Sequence, residues 1–283
     1  MNTQNVRRDI AQKTVQILDK GEYESLSGKK VKIHETLDRA RRLTRTFSPD
    51  ELEKMTIRHV FNDKGTPPPP SITVTNETTL SAALRLAQKS SNENLMALNF
   101  ASAKNPGGGF LNGASAQEES LCRKSGLYHC IKDQAEYYEQ NKAYGSSLYT
   151  DHMIYSPGVP VIRDVNEELL ESPYLCDFIT APAVNAGAVR ENEPKRVNMI
   201  QPVMEQRIEK LIALFVHLSQ KRLVLGAWGC GVFGNDPTEV ARWFSRYLGT
   251  DSPYAPYIDE VVFAVLDNTA DKRIITPFRN EFE

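Results

Sequence analysis

The chain has 283 residues, 40% hydrophobic and 25% charged, so it can bury a sizeable core and should be mostly folded. Its 34 basic and 36 acidic residues leave a formal charge of −2, which excludes the broad basic surface that duplex nucleic acid requires. A polyanionic ligand would have to be gripped locally, through backbone amides.

No uninterrupted apolar run approaches the ~18 residues of a membrane span, and Met1 to Asp9 is polar with no secretory apolar core. The expectation is an intracellular, cytoplasmic protein (nuclear if the source is eukaryotic) with neither membrane nor duplex partner. Val6, Ile10, Ile17 and Leu18 recur at helical spacings and stop at Gly21, which predicts an amphipathic helix. A second helix is predicted over Glu35 to Arg45, where Arg39, Arg41, Arg42 and Arg45 form either a solvated face or a phosphate contact. Pro67 to Pro70 forbid helix and central strand, and separate an N-terminal helical extension, residues 1–70, from a catalytic domain, residues 71–283.

Beyond the prolines, strands and helices alternate. Strand Ile72 to Val74 leads to helix Thr79 to Gln88, then strand Leu95 to Phe100 and a helix from about Gln117. Short strands are predicted at Met153 to Tyr155 and Phe178 to Thr180, with a long helix over Met199 to Leu218. Strand Leu223 to Gly226, helix Pro237 to Leu248 and strand Val261 to Leu266 complete the pattern. Such alternation implies a mixed or parallel sheet covered on both faces, with ligands outside the carboxyl ends of the strands.

Two glycine-rich loops fall at those ends. The first, Asn105-Pro106-Gly107-Gly108-Gly109, follows a buried strand, and after seven further residues Gln117-Glu118-Glu119 opens a helix. Three glycines let a ligand lie against bare backbone N–H groups, near a helix N-terminus that suits an anion. The two acids also have a plainer account, since negative charge stabilises a first helical turn. The second loop, Gly226 to Asn235, reads Gly-Ala-Trp-Gly-Cys-Gly-Val-Phe-Gly-Asn, which makes either an anion cradle or only a tight turn. No Gly-Lys-Ser/Thr follows, which disfavours triphosphate hydrolysis, and no Gly-x-Ser-x-Gly is present. The four cysteines form no C-x-x-C pair and the five histidines share no zinc-ligand spacing, so neither metal nor cofactor is expected. Asn185, after the strand ending at Thr180, reads as a turn former.

The first loop with its Gln-Glu-Glu triplet closely resembles the signature of poly(ADP-ribose) glycohydrolases. The resemblance continues through Leu98-Asn99-Phe100-Ala101-Ser102 before the glycines and through Ser120-Leu121 and Ser125-Gly126-Leu127-Tyr128 after them. It is greatest to the compact microbial type and runs from about residue 70 to the C-terminus, less distinctly before it. It implies a three-layer α/β/α, macrodomain-like fold with a mixed sheet, and hydrolysis of ribose–ribose bonds in poly(ADP-ribose) or ADP-ribosylated proteins. ADP-ribose would be the product, released from chain ends.

The second glutamate of the family triplet is the acid/base, which maps to Glu119: it protonates the leaving oxygen, then its carboxylate activates water. The helix N-terminus favours the charged carboxylate there, whereas a charged Glu118 and the substrate diphosphate favour the neutral acid. By resemblance Glu118 accepts ribose hydroxyls and Gln117 supports that geometry. Gly107, Gly108, Gly109, Gly229, Gly231 and Val232 belong to the binding loops. Phe233 lies against the distal ribose, with ordinary core packing as its alternative. Asn105 is a ribose contact, in a segment that is shorter in the animal enzymes. The rival activities are hydrolysis of mono-ADP-ribose by the same glutamate and a non-catalytic module that reads ADP-ribose. Binding needs the loops but not two adjacent acids, which argues against the module.

Overall fold

The computed structural model describes residues 3–56, 69–89 and 95–283, so Pro67 and Pro68 of the proline run and His59 lie outside the described residues. Helix α1 (Thr3–Lys20) stops at Gly21 as expected and is followed by a hairpin of β1 (Glu22–Glu24) and β2 (Lys30–Lys32). Helix α2 (His34–Leu43) ends before Arg45, which opens strand β3 (Arg45–Phe47), because Thr44 turns to an extended conformation. Its arginine face is solvated: Arg41 pairs with Asp38 and Asp133, and Arg45 pairs with Glu51. Helix α3 (Pro49–Met55) starts on a Ser48–Glu51 capping box.

The remaining order is β4 (Ser71–Thr75), α4 (Thr79–Lys89), β5 (Leu95–Phe100), α5 (Gln117–Lys124), α6 (Leu127–Ile131), α7 (Ala135–Ala143), β6 (Met153–Arg163) and β7 (Leu169–Ala181). Then come α8 (Ala186–Asn192), α9 (Ile200–His217), β8 (Arg222–Leu225), α10 (Pro237–Leu248), β9 (Glu260–Ala264) and α11 (Ile275–Phe282). Strands β6 and β7 are far longer than their apolar centres suggest. A bulge between Ser156 and Val159 carries Pro157 and Gly158 within β6, with Asp177 accepting the Gly158 N–H at 2.7 Å.

Seven strands form one sheet in the order β3-β6-β7-β5-β8-β9-β4. From β7 to β4 the pairs are parallel, whereas β6 is antiparallel to both β3 and β7. Alternate side chains of the central strands enter opposite cores. Met96 and Leu98, Leu223 and Leu225, and Val261 and Phe263 meet α9, α10 and α11 on one face. Leu95 and Ala97, with Val224 and Val262, meet α1, α2, α4 and α5 on the other. The result is the three-layer mixed sheet. Among the described residues no helix is long and apolar enough to cross a membrane.

Helix α1 does more than cover the sheet. Arg7 Nε donates to the Gly113 carbonyl at 2.7 Å, Gln4 Nε2 to the Asn112 carbonyl at 3.1 Å, and the Thr14 hydroxyl to the Arg123 carbonyl at 2.7 Å. The N-terminal helix therefore clamps the return limb of the first glycine loop and the end of α5. Gly113 has φ +78°, and a Cβ there would overlap the Gln4 main-chain oxygen. Gly113→Ala should cost about 1–3 kcal/mol in urea unfolding and loosen α1, read as faster amide exchange over residues 3–14. Unchanged stability would show that this clamp contributes nothing.

Candidate active site

Helix α5 begins at Gln117 with no side-chain cap, and the Gln117 carboxamide ties that start to the end of β5. Its Oε1 accepts the Phe100 N–H at 2.9 Å, and its Nε2 donates to the Leu98 carbonyl at 2.8 Å and the Thr79 hydroxyl at 3.1 Å. The helical turn then directs Glu118 inward and Glu119 toward the glycines. Glu118 is 3% exposed; its Oε2 accepts the Ser102 N–H at 2.7 Å and its Oε1 the Asn99 Nδ2 at 3.3 Å. Glu119 Oε1 accepts the Gly109 N–H at 3.0 Å.

The first loop was expected to aim its amides at a bound anion. Instead they meet the enzyme's own carboxyls: Gly109 serves Glu119, the Gly107 N–H reaches Glu118, and the Gly108 N–H closes the turn on the Asn105 carbonyl at 3.0 Å. Asn105 itself stands exposed at the loop's start. Gly108 has φ +56°, and a Cβ there would overlap Glu119 Oε1. Its bareness lets the carboxyls approach the chain.

Burial pushes the Glu118 carboxyl up to about 8, against the lowering effect of the Ser102 and Asn99 hydrogen bonds; the charge of Glu119 adds to the rise. Near neutrality Glu118 therefore carries a proton, which differs from the charged neighbour expected from sequence. Asn99 Oδ1 is buried without a partner, and its Nδ2 also reaches the Thr180 hydroxyl at 3.1 Å.

The second loop presents its amides outward. Within it Cys230 N–H bonds the Ala227 carbonyl, Gly234 N–H the Gly231 carbonyl and Asn235 N–H the Gly229 carbonyl. Among the described residues no acceptor meets the successive N–H groups of Gly231, Val232 and Phe233. Val232 is 93% exposed and a Cβ on Gly231 would touch nothing, so this backbone is open to a ligand. Gly229 serves packing as well, because its Cβ would meet Ala183 Cβ at 2.6 Å. Phe233 is half-buried, its ring 6.1 Å from that of Tyr149.

The second loop, Gln117 and the end of β9 enclose a cavity of about 430 Å³. Its lining includes the apolar Leu80, Phe100, Ala264, Val265 and Ile274 as well as residues 231–233 of the loop. Among the described residues no group of three or more His, Cys, Asp or Glu could hold a metal ion.

Residues 11–164 match the catalytic-domain model of the microbial-type PARG family, PARG standing for poly(ADP-ribose) glycohydrolase. The chain belongs to that family. The poly(ADP-ribose) glycohydrolase of Thermomonospora curvata bound to the inhibitor ADP-HPD is 42% identical, with a TM-score of 0.90 over 98% of this chain and 100% of that one. The Deinococcus radiodurans enzyme in complex with ADP-ribose is 45% identical, with a TM-score of 0.80 over 87% of this chain and 97% of that one. No curated protein sequence matches. The family match begins at residue 11, inside α1, and so takes in most of the N-terminal segment, where the resemblance was expected to be less distinct.

In this glycohydrolase the sequence reading missed Asn99, the Ser102 N–H, Arg7 and Arg207. Arg207 is fully buried in α9, where it donates to Asp151 at 2.8 Å and to the carbonyls of Leu148, Tyr149 and Pro182. Its signal was an arginine on the apolar stripe Met204–Ile208–Leu211, which has to be paired when buried.

The raised Glu118 carboxyl makes stability depend on pH. Between about 4.5 and about 8 the native state holds a proton that the unfolded chain has released, so stability falls as pH rises through that window and levels off above it. Glu118→Gln mimics the protonated form and lacks the titration. The variant should gain on the wild type by on the order of a few kcal/mol between about pH 5 and pH 8, measured by denaturant unfolding. A stability gap independent of pH would refute the buried proton.

Proposed function

We propose that Glu119 is the general acid/base with which this glycohydrolase cleaves the terminal ribose–ribose bond of poly(ADP-ribose), releasing ADP-ribose from the chain end. The observation that supports it most is the pairing of two dissimilar loops. One brings its N–H groups to the two carboxyls, while the other leaves three successive N–H groups open at the cavity rim. A diphosphate on Gly231 to Phe233 would place adenosine toward the apolar lining of the cavity and the distal ribose toward α5.

The scissile bond joins C1 of that ribose to a hydroxyl oxygen of the preceding unit. Glu119 donates its proton to this oxygen as the C–O bond breaks, and the sugar takes on oxocarbenium character. The resulting carboxylate then removes a proton from water as the water oxygen bonds to C1, which returns Glu119 to its starting state. Glu118, held by Ser102 and Asn99, orients the ribose hydroxyls, and Phe233 covers the sugar's other side. Gln117 fixes the start of α5, and Asn105 lies where it can reach the ribose. Because Glu118 is neutral near neutrality, it adds no charge to repel the substrate's diphosphate.

Glu119→Ala should lower ADP-ribose release from purified polymer by about 10²–10⁴-fold while calorimetry shows ADP-ribose affinity within a few-fold of wild type. Equal turnover would remove Glu119 from the chemistry. Early time points should contain ADP-ribose and no free oligomers; early oligomers would reverse the chain-end reading. Faster release from mono-modified protein than from polymer would favour the mono-ADP-ribose activity.

A further inference from the structure

Beyond the cavity, three side chains continue its rim without a part in the reaction above except for the first. Phe233 borders the cavity, the Tyr149 ring lies 6.1 Å from it, and the Lys104 ammonium sits 6.0 Å from the Tyr149 ring centroid. Lys104 belongs to the segment running from the Ser102 N–H that holds Glu118 to the glycines that meet Glu119. It does not line the cavity and meets it only through Tyr149 and Phe233.

Tyr149 is built into this position. Its φ of +58° is a left-handed conformation rare for a side chain of this size, and it persists only where the surroundings over-determine it. The buried Arg207 does so by donating to the Tyr149 carbonyl at 3.1 Å and to the Leu148 carbonyl at 3.0 Å. Lys104 is exposed, and among the described residues no carboxylate pairs with it. Glu193, whose charge is felt at Tyr149, is engaged by Ser146, Ser147 and Arg196.

We propose that Phe233, Tyr149 and Lys104 form a subsite for the departing side of the polymer, with Lys104 pairing to a phosphate of the unit that leaves. The inference rests on Glu119 standing at the scissile bond. With ADP-ribose in the cavity, whatever is attached beyond C1 must emerge past the carboxyls and along this rim. In poly(ADP-ribose) that group is an adenosine with a 5′-diphosphate, whose base can stack on an aromatic ring and whose phosphate can meet an ammonium. A protein side chain or simple alcohol on C1 offers neither. Lys104 thereby separates polymer from mono-modified substrates.

The test compares Lys104→Ala and Lys104→Glu with the intact enzyme on polymer and on ADP-ribose bearing 4-nitrophenol at C1. Lys104→Ala should lower kcat/KM on polymer roughly tenfold, Lys104→Glu should lower it further, and both should leave the nitrophenyl substrate within twofold. The salt dependence of polymer cleavage should weaken in both variants. Equal loss on both substrates, or no loss on polymer, overturns the subsite. Binding separates this from the catalytic reading: in a Glu119→Ala background, Lys104→Ala should weaken a two-unit oligomer but not ADP-ribose. If the wild type cleaved neither substrate yet kept that binding difference, the catalytic role would fall and the subsite would stand.

Discussion

Position 108 has no side chain, and the geometry of the site depends on that. A Cβ there would overlap Glu119 Oε1 and lie 3.3 Å from Glu118 Oε2, so any other residue would drive the carboxyls off the loop. Contact with the loop supplies the Gly109 N–H to Glu119, and Glu118, held by the Ser102 N–H, is left 3% exposed. Burial then keeps a proton on Glu118, and the proton changes what kind of ligand the site can accept. A backbone requirement is thus converted, through packing and desolvation, into a charge state.

The sheet explains why two loops so far apart in sequence cooperate. Strands β5 and β8 are parallel neighbours, with Ala97 paired to Val224, and each runs straight into its glycine loop. The loops therefore emerge side by side at one edge of the sheet, where a parallel arrangement leaves a crevice. Elements remote in sequence stiffen both. Helix α1 holds the return limb of the first loop through Gln4 and Arg7, and Asn235 ties the second to the Val184 carbonyl at 2.8 Å. Rigid supports matter because acid/base chemistry tolerates little misplacement of the carboxyl.

Much of this was legible in the sequence, because the signals were local. Helices α1, α4, α9 and α10 followed from periodicity and from Gly21 and Pro237, and the buried strands β5, β8 and β9 from short apolar runs. Short N-terminal elements escaped: β3 has three residues and becomes a strand only by pairing with β6. The bulge in β6 escaped because its Pro-Gly pair carries the composition of a turn. At the site, residue types and spacing pointed to the carboxyls and to both loops. The direction of the N–H groups was not legible, since it is set by φ and ψ at Gly107 and Gly108 and not by composition. Neither was the support from Asn99 and Arg207, whose partners lie 19 to 81 residues away.

The contrast between the loops follows from what each faces. An N–H cradle beside two acids of the same protein will hold those acids, because they are tethered there at high effective concentration and no diffusing anion competes with them. A cradle facing only Val232 and solvent keeps its donors for a ligand. A glycine-rich turn after a strand is therefore an incomplete predictor of phosphate binding. The nearest fixed negative charge decides whether its amides are already committed, and in this glycohydrolase the committed loop positions the acids while the other keeps its N–H groups open.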